Sequence, residues 1–186
     1  MRLALGSVAA VMLVGASAAA TATSTPKNDF KVVLWKRIGP YAYLKNGRHG
    51  ASGTYREAVT AFGRPSARGS PYESNICTVR WNRLGMDLGF VPSSSPCKDR
   101  NLRRTGWYEA SLHDSRWSTG RGLRVGDGVA RVRALYPKAR FYNSPPEPPT
   151  WTLATVPHEG GPLAVLRVIV WGGRVTSIEL NYPGVF

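Results

Sequence analysis

A chain of 186 residues with 25 basic against 11 acidic side chains carries a formal net charge of +14. A surplus of that size predicts affinity for polyanions such as wall polymers, anionic lipid surfaces or nucleic acid, although 19 Arg against 6 Lys also fits coding bias with the charge spread over a solvated surface. Two cysteines without nearby histidine exclude a tetrahedral metal site, and no stretch beyond the N-terminus approaches the length needed to span a bilayer.

At the N-terminus, Arg2 precedes an apolar run from Leu3 to Val14, followed by Gly15 and small residues through Ala20. This charged, apolar, small-residue order predicts a secretory signal peptide over residues 1–22. Cleavage after Ala18-Ala19-Ala20 would leave Thr21 first, and cleavage after Ala20-Thr21-Ala22 would leave Thr23. About twelve apolar residues fall short of the ~20 of a spanning helix. No cysteine lies near the cleavage site to take a lipid, so the expected product is a secreted protein, extracellular or periplasmic, with no transmembrane segment. Losing Arg2 leaves 24 basic against 11 acidic residues, a charge of +13. Residues 23–29 read as a flexible leader.

Structure is expected to start at Phe30, with a β-branched and aromatic strand to Trp35 that Gly39-Pro40 cannot continue. A helix opens at Thr54, in capping-box spacing with Glu57. It places Tyr55, Ala58, Val59 and Phe62 on one face and stops at Gly63 and Pro65. Strands follow over Ile76–Trp81 and Met86–Val91, around a turn at Asn82–Gly85. Cys77 and Cys97 are expected to be bonded to each other, because an oxidising compartment makes a bridge the default. Closing that loop of about twenty residues contributes roughly 3 kcal/mol in the chain-entropy picture.

Gly106–Leu112 reads as a further strand. A second helix is expected to open at Asp127, its carboxylate capping the first turn, and to bury Val129, Val132, Leu135 and Tyr136 before Pro137. After the four-proline loop Asn143–Thr150 come Trp151–Val156 and the hairpin Leu163–Trp171 and Arg174–Tyr182, turned at Gly172-Gly173. The order predicts an α+β fold with short helices on antiparallel sheet, in two similar helix-plus-meander units. These are residues 30–105, with the disulfide, and 106–186. Val59-x-x-Phe62-x-x-Pro65 matches Val132-x-x-Leu135-x-Pro137 only with a one-residue gap, so a single irregular α+β domain is the alternative.

The stretch Trp117-Ser-Thr-Gly-Arg-Gly-Leu-Arg-Val-Gly-Asp-Gly-Val-Ala-Arg-Val-Arg-Ala-Leu-Tyr-Pro137 resembles a segment of small exported bacterial domains. Their fold is β-lactamase-inhibitor-like or outer-membrane-assembly-lipoprotein-like (BamE type). In those domains a glycine, an apolar residue and a capping acid introduce a short helix that packs on antiparallel sheet. The resemblance implies a binding or structural module. It carries over neither a lipoprotein role, since there is no lipidation cysteine, nor enzyme inhibition.

Catalytic groups are sparse. His49, His113 and His158 fall in loops or at strand edges, and no Gly-x-Ser-x-Gly elbow accompanies Ser93, Ser94 or Ser95. Glu73, Asp87, Asp99 and Glu109 offer carboxylate pairs without specificity. Gly120–Gly128 is glycine-rich but lacks a phosphate-loop lysine, so no nucleotide cofactor is expected, nor any other, and its glycines read as turns ahead of the helix. What remains is aromatic and basic: Trp107, Tyr108, Trp117 and Trp151 among Arg100, Arg103, Arg104, Arg116, Arg121 and Arg124. Flat rings beside guanidinium groups suit polyanions, sugar faces or protein hot spots, while core packing is the plainer account of the rings. The expected function is therefore a secreted non-enzymatic module that binds a protein or an anionic envelope component through its sheet face and this region. A small envelope hydrolase is the alternative.

Overall fold

The structure, a computed structural model, describes residues 29–34, 37–42, 53–69, 75–92, 97–102, 105–157 and 163–181. The signal segment, residues 23–28 of the leader, Trp35, His49, Glu73, Ser93–Ser95, Arg103, Arg104, His158 and Tyr182 lie outside the described residues.

The first strand is shorter than its composition predicts. β1 is Lys31–Val33, followed by β2 (Arg37–Ile38) and β3 (Tyr41–Ala42) across the turn at Gly39-Pro40. Helix α1 (Tyr55–Phe62) has the predicted capping box: Thr54 Oγ1 accepts the Glu57 amide at 3.3 Å, and Glu57 Oε2 accepts the Thr54 amide at 2.8 Å. Its other end closes where the Gly63 amide donates to Val59 O. Tyr55 and Ala58 are buried, with Val59 and Phe62 half-buried against the core. Then come β4 (Ala67–Gly69), β5 (Cys77–Trp81), a 3-10 turn at Asn82–Leu84, β6 (Met86–Phe90), α2 (Asp99–Leu102) and β7 (Trp107–Leu112).

The second half runs β8 (Ser118–Thr119), α3 (Val129–Leu135), β9 (Arg140–Tyr142), β10 (Thr150–Val156), β11 (Leu163–Trp171) and β12 (Arg174–Asn181). Helix α3 starts differently from expectation. Its N-cap is Gly128, with no side-chain cap, and the Asp127 carboxylate instead accepts the Arg124 amide at 2.8 Å. The acid closes the turn before the helix because its side chain reaches back along the chain, the local bonding that makes Asp a turn former. The β11–β12 turn is as predicted, with positive φ at both Gly172 (58°) and Gly173 (76°), which a primed two-residue turn requires.

Two sheets result. A small one has the order β3-β2-β1-β8, with β1 and β8 parallel. The large one is antiparallel, in the order β4-β5-β6-β7-β12-β11-β10-β9. Each half of the large sheet is a helix followed by a four-stranded meander, α1-β4-β5-β6-β7 and α3-β9-β10-β11-β12. β7, read from sequence as opening the second unit, pairs with β6 and completes the first meander.

The halves repeat the same backbone bonds where each helix start meets the last strand of its meander. The N-cap Thr54 bridges Gly106 ahead of β7, and the N-cap Gly128 bridges Arg174 at the start of β12. The first helical amide, Tyr55 or Val129, donates at 3.2 Å to Thr105 O or Gly173 O. The residue before each cap, Gly53 or Asp127, accepts from Trp107 N or Val175 N. At the seam Ala110 faces Leu180 and Leu112 faces Ile178, with Ser111 opposite Glu179 between them. Exchanging the halves carries the first pair into the second and leaves Ser111 and Glu179 on a pseudo-two-fold axis.

One core runs through both halves. Val79, Leu88, Leu112, Val168 and Ile178 are fully buried from the large sheet, with Val32 and Ile38 from the small sheet and Ala58 and Val132 from the helices. Cys77 and Cys97 form the predicted disulfide.

Candidate functional site

The predicted aromatic and basic set does not assemble as one surface. Trp107 and Trp117 are 2% and 1% exposed, so neither ring is a binding platform. Trp107 begins β7 on its inward face. Trp117 donates its indole N–H to Leu84 O at 2.6 Å and meets the Phe30 ring edge-on at 5.1 Å, which locks it into the join between the two sheets. Trp151 is also buried, while Tyr108 is half-buried.

The arginines divide. Arg116 makes a forked ion pair with Asp114 (2.8 and 2.9 Å), donates to Arg83 O at 2.6 Å and lies over the Phe30 ring at 4.4 Å. This pairing holds the Asp114 carboxyl below the usual carboxylate range. Arg121 donates to Leu135 O at 3.0 Å and stacks on Tyr136 at 5.1 Å. The side chains of Arg124 and of Arg100 on α2 are exposed. Arg103 and Arg104 lie outside the described residues. Of the described members, Trp107 and Trp117 are withdrawn into the core and Arg116 and Arg121 stand at different cavities, because sequence proximity in a two-sheet fold does not keep neighbours on one face.

Arg116 belongs to a different cluster. A cavity of about 610 Å³ between the end of α1, the 3-10 turn and the small sheet is lined by Arg64, Arg83 and Arg116, with Phe62, Trp81 and Trp117 among its walls. Among the described residues the side chains of Arg64 and Arg83 have no hydrogen-bond or ion-pair partner. The acid in the lining, Asp29, is neutralised by Arg37. Trp81 is held in the wall by its indole bond to Gly63 O at 2.9 Å. Arg64 and Arg83 are 19 residues apart in sequence and their approach follows only from the β5–β6 hairpin packing beside α1. The signal available in sequence was a basic residue just past each of two predicted stops, Gly63 and Trp81.

Two further hollows lie in the second half. One, of about 410 Å³, lies beneath Arg121 and Lys138 with Tyr136 in its wall. The other is an open groove of about 390 Å³, walled by Val129 and Arg133 of α3, Phe141, Trp151, Val170 and Trp171, together with Pro149 and Gly172-Gly173. Trp171 is 71% exposed and Phe141 and Tyr142 each 51%, the large apolar side chains most open to solvent among the described residues. Phe141 packs on Trp151 at 5.2 Å, and the Arg133 guanidinium lies 5.4 Å from the Trp151 ring centre.

Of the groups considered for catalysis, His113 is exposed and Asp114 beside it is committed to Arg116. Asp87 is paired with Arg80. On the outer face of the sheet, burial and the nearby Glu179 charge raise the Glu109 carboxyl above its usual range. No group of three or more His, Cys, Asp or Glu that could hold a metal ion occurs among the described residues. No helix there is long and apolar enough to cross a membrane.

Fold and clefts together define an α+β, disulfide-bonded protein with two tandem helix-plus-meander units. No family model matches the chain, and none of the curated proteins matches it. Among solved structures it is similar to an extracellular protein containing a SCP domain from Bacillus anthracis str. Ames. The identity is 10% and the TM-score 0.43, over 71% of this chain and 44% of that one, so the chain spans less than half of the neighbour's length.

Proposed function

We propose that the protein is an exported, non-enzymatic module that binds an anionic component of the cell envelope in the cavity beside α1. The observation that carries the reading is the convergence of Arg64, Arg83 and Arg116 on one cavity whose acid, Asp29, is already neutralised. Two of these guanidinium groups have no partner among the described residues, so their charge is available to a phosphate or carboxylate, which a fork of N–H donors grips well. Export rests on the signal-like N-terminus, with which the disulfide is consistent.

The test is salt elution of the mature protein from an anionic matrix such as immobilised teichoic-acid-like polyphosphate. Each guanidinium–phosphate pair that a substitution abolishes makes the slope of log affinity against log salt shallower by about one unit. Arg64→Ser with Arg83→Ser is expected to elute earlier, with a slope shallower by about two, and to melt at nearly the parent temperature because exposed charges contribute little to folding. Arg124→Ser with Arg131→Ser, the same charge change on exposed positions outside the cavity, is expected to elute near the parent. Equal elution of the two double variants would return the retention to net charge alone.

A further inference from the structure

The pseudo-two-fold axis gives the helix and strand residues of the open groove counterparts in the first unit, where the connection that follows them is longer. Strand register pairs Val129 with Tyr55, Trp151 with Val79, Val170 with Phe90 and Pro149 with Cys77. In the second unit β11 passes to β12 through Gly172-Gly173 alone. In the first, the corresponding connection runs from Val91 to Gly106 and carries α2.

That connection is fastened at the positions equivalent to Pro149 and Gly173. Cys97 is bonded to Cys77, the counterpart of Pro149. Thr105 takes the first amide of α1 on its carbonyl and donates its own amide to Leu102 O, while Leu102 itself is fully buried. The first unit therefore holds, between the strand end at Cys77 and the first turn of α1, a short segment of its own chain whose Leu102 is buried in the core. The second unit has the same frame and no such segment, and Trp171 and Phe141 stand open there.

We infer that the open groove is the docking site for a segment of a partner protein, one that inserts a bulky apolar side chain and carries acidic residues beside it. Charge selects the partner. Arg133 is the charged residue of the groove's lining and the lining holds no acid, so an acidic residue beside the inserted side chain meets a guanidinium, while a second copy of this chain, of net charge +14, would bring like charge against like. The walls favour a peptide over a sugar: besides Arg133 they present aliphatic and aromatic carbon, whereas a sugar needs several hydrogen-bonding groups. Exposed aromatic rings around an apolar hollow, with a guanidinium at the rim, have the composition of protein hot spots. The groove lies in the second unit and is lined by none of the residues of the arginine cavity, so the two readings stand independently.

The experiment is selection of a random peptide library, displayed on phage, against the mature protein, followed by titration of the enriched peptides into parent, Trp171→Ala and Arg133→Ser proteins. The expected result is enrichment of segments with Leu, Met, Phe or Trp flanked by Asp or Glu. Their affinity should fall about tenfold or more in Trp171→Ala and by less in Arg133→Ser, as for the centre and rim of a hot spot. Both substituted side chains are exposed, so the circular dichroism melt should be unchanged, and a variant that melts early is replaced by Trp171→Gln. The inference is overturned if no peptide is enriched, if the enriched peptides lack acidic residues, or if both variants bind them as the parent does. It also falls if cellohexaose or chitohexaose protects Trp171 from acrylamide quenching, which would make the groove a glycan site. A parent dimer in gel filtration that Trp171→Ala dissociates would make it a self-association face.

Discussion

Glu109 shows how a single side chain records its surroundings. It stands opposite Gly89 across the β6–β7 pair, and its side chain lies over that residue: a Cβ built on Gly89 would sit 2.5 Å from Glu109 Cγ. This close approach requires glycine there and shields the carboxylate from water, which is why burial is the larger cause of its raised pKa, ahead of the Glu179 charge and against the smaller opposing pull of Arg167. An acid whose pKa is higher folded than unfolded favours folding while protonated. Its cost appears as pH rises through the ordinary value of 4.5 and is complete above the folded value. Glu109→Gln is therefore expected to raise the melting temperature at pH 7, with the gain shrinking to nothing below pH 4.5. A melt series on parent and variant checks it, and a gain that persists unchanged in acid would show that the charge is not its source.

Elements with a complete local signal form as the sequence predicts, and elements without one do not announce themselves. The capping box at Thr54 and Glu57, the Gly172-Gly173 hairpin and the β5–β6 pair are all set by neighbours a few residues apart. β4 and β9 are three-residue edge strands with every residue exposed, so they have no alternation to read. They are strands only because β5 and β10 offer them an edge. α2 is one turn long and is held between the disulfide and Thr105 rather than by its own propensity. Replacing Cys77 and Cys97 together by Ala frees a closure of 20 residues and is expected to cost about 3 kcal/mol, read as a shift in the urea midpoint. A shift of a few tenths of that value would mean the segment docks through Leu102 alone.

At the scale of the whole molecule the seam between β7 and β12 decides the behaviour. It makes one eight-stranded sheet out of two meanders, and both halves share one buried cluster. Thermal unfolding is therefore expected to be a single transition, with far-UV circular dichroism and tryptophan fluorescence coincident. Two separated transitions would show the halves to be energetically independent despite their shared sheet.

The sequence by itself determined the α+β class, the helix-plus-meander repeat, the capping box of α1, the central hairpins and the cysteine pairing. Each of these depends on residue types at short, fixed spacings, and the pairing on there being only two thiols. Only the tertiary structure decided which tryptophans are buried. Trp107 and Trp117 look like Trp171 in composition and context, and whether a ring meets core or water is fixed by which face of a strand it occupies and what packs there. The same holds for the basic residues: Arg64, Arg83 and Arg116 line one cavity, while Arg100, Arg121 and Arg124, close in sequence to Arg116, do not line it. The open groove was the least legible feature, because it lies where one half of a pseudo-symmetric frame has a long connection and the other has only Gly172-Gly173. A chain read in one dimension shows what is present at each position, and the frame against which something is missing exists only once the two halves are folded side by side.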